Sequence, residues 1–432
     1  MSSERTNELR ALDRAHFWHP FTPMEAWCEP DHEAVVLEKG EGARLTDTEG
    51  RAYLDGNSSI WTNIHGHGHP RIVAAIQEQA AKLAHASTLG FTNGPSAELA
   101  AALVGLFPEG TFSRAFFSDN GSTAVECACK MALQHWQLRG KGERDTFVAF
   151  EGAYHGDTAG AASLGGIATF HGRFGRWGWT VEHCASVQEL EERIEGSQIA
   201  AVVVEPVIQG AAGMRLWPEG TLRQLREWCD EKGTFLLLDE VMTGFGRLGT
   251  MFACQREGVT PDLLALAKGL TGGTLPMAAT LVRESVFEPF FGGPEETFYY
   301  GHSYCGNPLG AAAALASLAV FEEEKVLAGL PAKIRWFQEA LRALEGRSEW
   351  VYEVRCVGLM AGIEVRQADG TAYPSDDRVG AAICRAAREH GLLTRPILDT
   401  LVLMPPLCIT EEDIELAVTA LELATKEVCS SR

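Results

Sequence analysis

The chain has 432 residues, 46% of them hydrophobic and 22% charged, which suits a soluble globular protein with one large domain and a smaller one. Its formal net charge of -21 sets it against nucleic acid and anionic membrane surfaces, so neither is expected as a partner. Eleven scattered cysteines without a CxxC pair, a charged N-terminus and no long apolar run predict a reduced cytoplasmic protein with no disulfide frame, metal site, signal peptide or membrane span.

Residues 1–60 mix polar and aromatic residues with short strand-like segments such as AVVLEKGEGARLTD, with turns at Gly40, Gly42 and, just beyond it, Gly50. From about residue 95, helical stretches alternate with short apolar runs: SAELAAALVGLF, RAFFSDNGS, TAVECACKMALQHW, then TFVAFEG. IAAVVVEPV, the helical TLRQLREWCDEKG and TFLLLDEV continue the alternation. It predicts an α/β fold in which residues 61–330 form a large domain on a mostly parallel sheet. After residue 330 the helix AKIRWFQEALRALE leads to apolar strands near VRCVGLMAGIEV and LVLMPPL, and a last helix starts at Glu411. Residues 331–432, joined by the 1–60 segment, are expected to form a smaller α+β domain.

Lys268 is one of nine lysines, and it ends the apolar run DLLALAK ahead of the glycine turn GLTGG. Poor solvation there favours the neutral, nucleophilic amine. A strand-end lysine reaching out to solvent has the same local pattern. Asp239 closes the run FLLLDEV, 29 residues earlier, with one helix-and-strand unit expected between them. A carboxylate at that edge of the sheet can face a protonated ring nitrogen or cap the next segment. In SDNGSTAVECACKMALQHW, Gly121, Ser122 and Thr123 open a helix, which makes an anion cradle. Ordinary capping by Asp119, Asn120 or Ser122 reads equally well. GAYHGDT offers Tyr154 for stacking on a flat ring and Asp157 as a support for Asp239 or a nearby water, while His155 reads as a structural histidine.

Taken together, FFSDNGSTAVECACKMA, GAYHGDT, LLLDEVMTGFGRLGTMFA and PDLLALAKGLTGG resemble the class III aminotransferases, of the fold-type I pyridoxal-phosphate (PLP) superfamily. RAHFWHPFTPM, LDGNSSIWTNIHGHGHP, GHSYCGNPLGAAAA and LLTRPILDTLVLMPPL are similar to the branch that makes 7,8-diaminononanoate from 8-amino-7-oxononanoate in biotin synthesis. The likeness runs from about residue 14 to the C-terminus.

The resemblance implies a PLP transaminase in which Lys268 carries the cofactor as a Schiff base and Asp239 pairs with the pyridine nitrogen. Tyr154 and Val241 would cover the two ring faces, Gly121 and Ser122 would bind the phosphate, and Gln209 would lie near the ring hydroxyl. Ser303 would reach the phosphate bound by a neighbouring subunit, which implies a homodimer with shared active sites. Arg395 would bind the carboxylate of the keto acceptor, and Phe21, Ile60, Trp61 and Tyr154 would wall the substrate pocket. Branch members that use S-adenosylmethionine carry Tyr after WHP and a tandem Trp before IHG; Phe21 and Ile60 stand there instead, which points to lysine as amino donor. A broad ω-amine or diamine transaminase, or an aminomutase, would share the cofactor residues.

Overall fold

The apolar runs between residues 114 and 282 pair into one seven-stranded sheet, because short stretches of Val, Leu, Ile and Ala can be buried on both faces. A computed structural model describes residues 3–30, 32–174 and 177–430. The strand order is Arg114–Ser118, Ala278–Val282, Leu263–Leu266, Phe235–Asp239, Ile199–Val204, Thr146–Phe150 and Thr180–Cys184. Six strands run one way, and Ala278–Val282 runs antiparallel to both its neighbours. Alternate side chains feed two cores. Phe147, Ala149, Val203 and Leu237 pack with the helix Gly121–Leu138, whereas Val148, Val202, Leu236 and Leu238 join the larger cluster on the other face.

Among the described residues, three smaller sheets complete the fold, one of them the two-stranded Ile208–Gln209 and Arg215–Leu216 pair. Leu37–Glu41, Arg44–Asp47 and Ala52–Asp55 form a meander whose last strand pairs in parallel with Leu392–Leu393. Val351–Val357, Met360–Val365, Thr400–Leu403 and Pro396–Ile397 form the third, beside the helices Val326–Arg347, Val379–Ala386 and Glu411–Cys429. Chain from both ends of the sequence thus shares one sheet. Met1, Ser2, Ser431 and Arg432, the outer ends of the 1–60 and 331–432 segments, lie outside the described residues. Among the described residues no helix is long and apolar enough to cross a membrane.

The N-terminal segment opens with a helix, Glu4–His16, which the Ser3 side chain caps by accepting the Thr6 N–H at 3.1 Å. One local expectation is corrected. Between Asp239 and Lys268 there is no α-helix but a series of turns, one 3-10 turn at Ala253–Arg256 and the strand Leu263–Leu266. TGFGRLGT is too rich in glycine to stay helical, and Phe245, Gly246 and Gly249 all take positive φ. The buried Glu240 carboxylate accepts the N–H groups of Ala253 (2.6 Å) and Cys254 (2.8 Å), so these amides are satisfied without a helix.

Candidate active site

Five chain segments meet where the parallel strands end, the edge at which open α/β sheets bind ligands. Asp239 is the last residue of its strand and pairs with Ala265 of the adjacent parallel strand. Lys268 follows that second strand by two residues, in the 3-10 turn Lys268–Thr271 with φ +40°. Glu205 follows Val204 directly, the GAYHGDT loop follows Phe150, and the helix Gly121–Leu138 follows Ser118 after a short turn. A single topological rule therefore brings these side chains to one edge.

The buried Asp239 carboxylate is held from both sides. The Val241 N–H donates to Oδ1 at 3.1 Å and His155 Nδ1 donates to Oδ2 at 2.8 Å. Burial works against a charged His155, but the hydrogen bond and charge of Asp239 outweigh it and raise the imidazole above its ordinary range. His155, not Asp157, is the support of Asp239, which corrects the role expected from GAYHGDT. Its Nε2 is buried with no hydrogen-bond partner among the described residues.

Lys268 has no hydrogen bond or ion pair on its amine among the described residues; its Nζ lies over the Trp61 ring, 4.8 Å from the centroid. Burial lowers the lysine below its ordinary range, opposed by Asp239 and Glu205 and aided by Arg247. Glu205 was not singled out in the sequence. Its carboxylate accepts the Tyr154 N–H (3.1 Å) and the Gly210 N–H (3.0 Å), and burial pushes it up to about 7. An acid directly after the apolar run IAAVVV is the same signal that marked Asp239 and could have found it.

The anion cradle is built as well. Asn120 caps the helix, accepting the Thr123 N–H at 3.0 Å, while its own N–H donates to Thr123 Oγ1 at 3.3 Å. Gly121 and Ser122 lie in the first turn, where the helix cannot satisfy N–H groups. A Cβ on Gly121 would lie 2.6 Å from Val241 Cγ1, and one on Gly156 would lie 2.1 Å from Ser122 Oγ, so both glycines are required by close approach. Tyr154 donates its hydroxyl to Asp157 Oδ2 at 2.5 Å and stacks on His171 with 5.4 Å between ring centroids. An amine short of partners, a fixed buried carboxylate, an aromatic ring and an open helix N-terminus form a donor set that fits pyridoxal phosphate.

Farther out lie the residues expected to wall the substrate pocket. Trp61 borders Lys268, Ile60 is 45% exposed, and Phe21 is 57% exposed and meets Phe170 edge-on at 5.7 Å; Phe170 in turn meets Tyr154. Arg395 is exposed, without a hydrogen bond or ion pair among the described residues. Ser303 is exposed in the 301–306 turn, which is tied to Thr88, Asn93 and Ser96 and whose His302 lies 3.7 Å from Asp119, just before the Gly121 helix. Gln209 is buried, but its amide is used elsewhere: Nε2 donates to the Glu151 carbonyl at 3.2 Å and Oε1 accepts from Arg215 Nε at 2.8 Å. No hydrogen bond joins it to Asp239, Lys268 or Tyr154 among the described residues.

The family profile "Aminotransferase class-III" matches residues 28–425. An adenosylmethionine-8-amino-7-oxononanoate aminotransferase of Nitratidesulfovibrio vulgaris is 46% identical to this chain, covering 96% of it and 81% of the relative. A solved structure of the enzyme with that name from Methanocaldococcus jannaschii superposes with a TM-score of 0.94 at 38% identity, covering 98% and 99% of the two chains. An amine transaminase from an uncultivated Pseudomonas species, solved in its PLP-bound (internal aldimine) form, superposes at 0.90 with 34% identity over 96% and 99%.

Proposed function

The chain belongs to the class III aminotransferases, and on that premise we propose that it aminates 8-amino-7-oxononanoate to 7,8-diaminononanoate, with lysine as preferred amino donor. Class III aminotransferases are PLP-dependent, so this chain is a PLP transaminase. One observation carries the active-site assignment: Lys268, with a lowered pKa and no ion pair, sits at the same sheet edge as the fixed carboxylate of Asp239. The names of the relatives support the keto substrate.

Lys268 and Asp239 would hold the cofactor's aldehyde and ring-nitrogen ends, Tyr154 and Val241 its faces, and Gly121 and Ser122 its phosphate. When bound, PLP supplies an aldehyde for the amine and a ring that withdraws electrons from the adjacent carbon. Lys268 Nζ, whose charged form burial disfavours, would take a proton from the carbon that bears the donor's amine and later return one to the acceptor carbon. His155 and Val241 keep the Asp239 carboxylate oriented toward the place the ring nitrogen would take. Arg395 offers a planar guanidinium to both oxygens of the acceptor carboxylate.

Lysine is favoured as donor because Phe21 lacks a hydroxyl and Ile60 removes an indole from the wall on which an adenine would lie. Lysine needs only an apolar sleeve and a polar end. Ser303, exposed at the surface, is read as serving the partner's phosphate site in a homodimer. A cytoplasmic setting suits eleven unbridged cysteines. The test is formation of 7,8-diaminononanoate with lysine and with S-adenosylmethionine in parallel. Product with lysine is expected; product with S-adenosylmethionine alone would reverse the donor assignment. Turnover of simple diamines without the keto acid product would favour a broad ω-amine transaminase.

A further inference from the structure

Ser58, Ser59, Ile60 and Trp61 are four consecutive non-glycine residues with φ of 47°, 49°, 66° and 68°. They make one turn of left-handed helix: the Trp61 N–H donates to the Asn57 carbonyl (2.8 Å) and the Thr62 N–H to the Ser58 carbonyl (2.9 Å). In that conformation Cβ crowds the following carbonyl, most severely for a β-branched residue such as Ile60. The turn therefore needs support from outside itself.

Asp55 supplies it. Oδ1 accepts the Ser59 N–H at 3.0 Å, and Oδ2 accepts the Ser59 hydroxyl and His67 Nε2, each at 2.8 Å. The tautomer of His67 follows from its other nitrogen. Asn63 Oδ1 accepts the Gly66 N–H (2.7 Å), so its Nδ2 donates to His67 Nδ1 (3.1 Å) and the proton stays on Nε2. Burial alone would push the Asp55 carboxyl up; the bonds from His67 and Ser59 outweigh it and hold it below the usual carboxylate range. At the start of the turn, the Ser58 hydroxyl donates to the Met404 carbonyl at 2.6 Å.

We infer that Asp55 is a positioning residue of the amine pocket: its carboxylate locks the left-handed turn that sets Trp61 against Lys268 and Ile60 in the pocket wall. The inference rests on the aminotransferase reading of Lys268 but not on which amine is the donor. Asp55→Asn keeps the shape yet turns an NH2 group toward either the Ser59 N–H or His67 Nε2, both of which donate to the carboxylate. In hydrogen exchange on the full-length variant, the Trp61, Thr62 and Asn63 amides should exchange about tenfold faster or more, while Phe235–Asp239 keeps its protection. In the holoenzyme, KM for whichever amine is turned over should rise by about tenfold, with cofactor affinity unchanged. Ser59→Ala, which removes one donor and keeps the His67 bond, should move both readings the same way by less, and it decides the matter if Asp55→Asn does not fold. Unchanged exchange at 61–63, or faster exchange with an unchanged amine KM, would overturn the inference. A wild-type enzyme that used neither lysine, S-adenosylmethionine nor a diamine would instead sink the aminotransferase reading, whatever the exchange showed.

Discussion

Lys268, Asp239 and Glu205 share one buried edge, and each carries a different consequence for experiment. Borohydride treatment of the loaded enzyme should fix the cofactor on Lys268, and Lys268→Ala should bind it without turnover; label on another lysine would remove the assignment. Asp239→Asn would place an amide against the Val241 N–H or the His155 N–H and remove the charge that faces the ring nitrogen. Its loss at the transition state is expected to be about 3 kcal/mol, or a rate lower by about a hundredfold, read in single-turnover amine transfer. Glu205 makes a pH prediction. Its carboxyl sits at about 7 in the fold against an ordinary 4.5, so the native state holds a proton that the unfolded chain releases first. That contribution is full below pH 4.5 and is lost as pH rises through 7. It amounts to about 3 kcal/mol at most. Glu205→Gln should flatten this part of the urea-stability profile, and an unchanged slope would show that Glu205 is ionised throughout.

The helix Gly121–Leu138 matters as an element because its first turn is both capped and open. Asn120 fixes the cap while the N–H groups of Gly121 and Ser122 remain for an anion. Asn120→Ala should cost about 1 kcal/mol of stability and weaken cofactor binding, measured by urea unfolding and by titration with PLP. Gly156→Ala probes the same place from the facing loop. Its φ of +119° and the 2.1 Å approach of a Cβ to Ser122 Oγ leave no room for a methyl group. That variant should lose cofactor affinity by about tenfold or more, from strain at a position that only glycine adopts freely. Wild-type affinity would show that the loop can move away at little cost.

At the scale of the whole molecule, the proposed dimer makes a complementation prediction. If Ser303 serves the partner's site, a hybrid of a Lys268→Ala chain and a Ser303→Asp chain contains one site with native lysine and native serine. Mixing the two impaired variants under exchanging conditions should restore part of the wild-type activity, and sedimentation should show a dimer. Two impaired variants that stay impaired when mixed, despite proven subunit exchange, would place Ser303 outside the partner's site.

Much of this was legible in the sequence because it follows from local rules. Apolar runs alternating with helices specify a parallel sheet, and a parallel sheet collects the residues after its strands at one edge. Lys268, Asp239 and the Gly121 cradle are visible for that reason, and Glu205 was visible by the same rule. What the sequence by itself determined is thus the fold class, the cofactor edge and the family. Only the tertiary structure decided the pairing of His155 with Asp239, 84 positions apart, and the engagement of Gln209 by Arg215. It alone also decided the left-handed turn at Ser58–Trp61. No propensity favours four such residues in a row; the turn exists because Asp55, His67 and the Met404 carbonyl, 346 positions from Ser58, supply hydrogen bonds that the turn cannot make for itself.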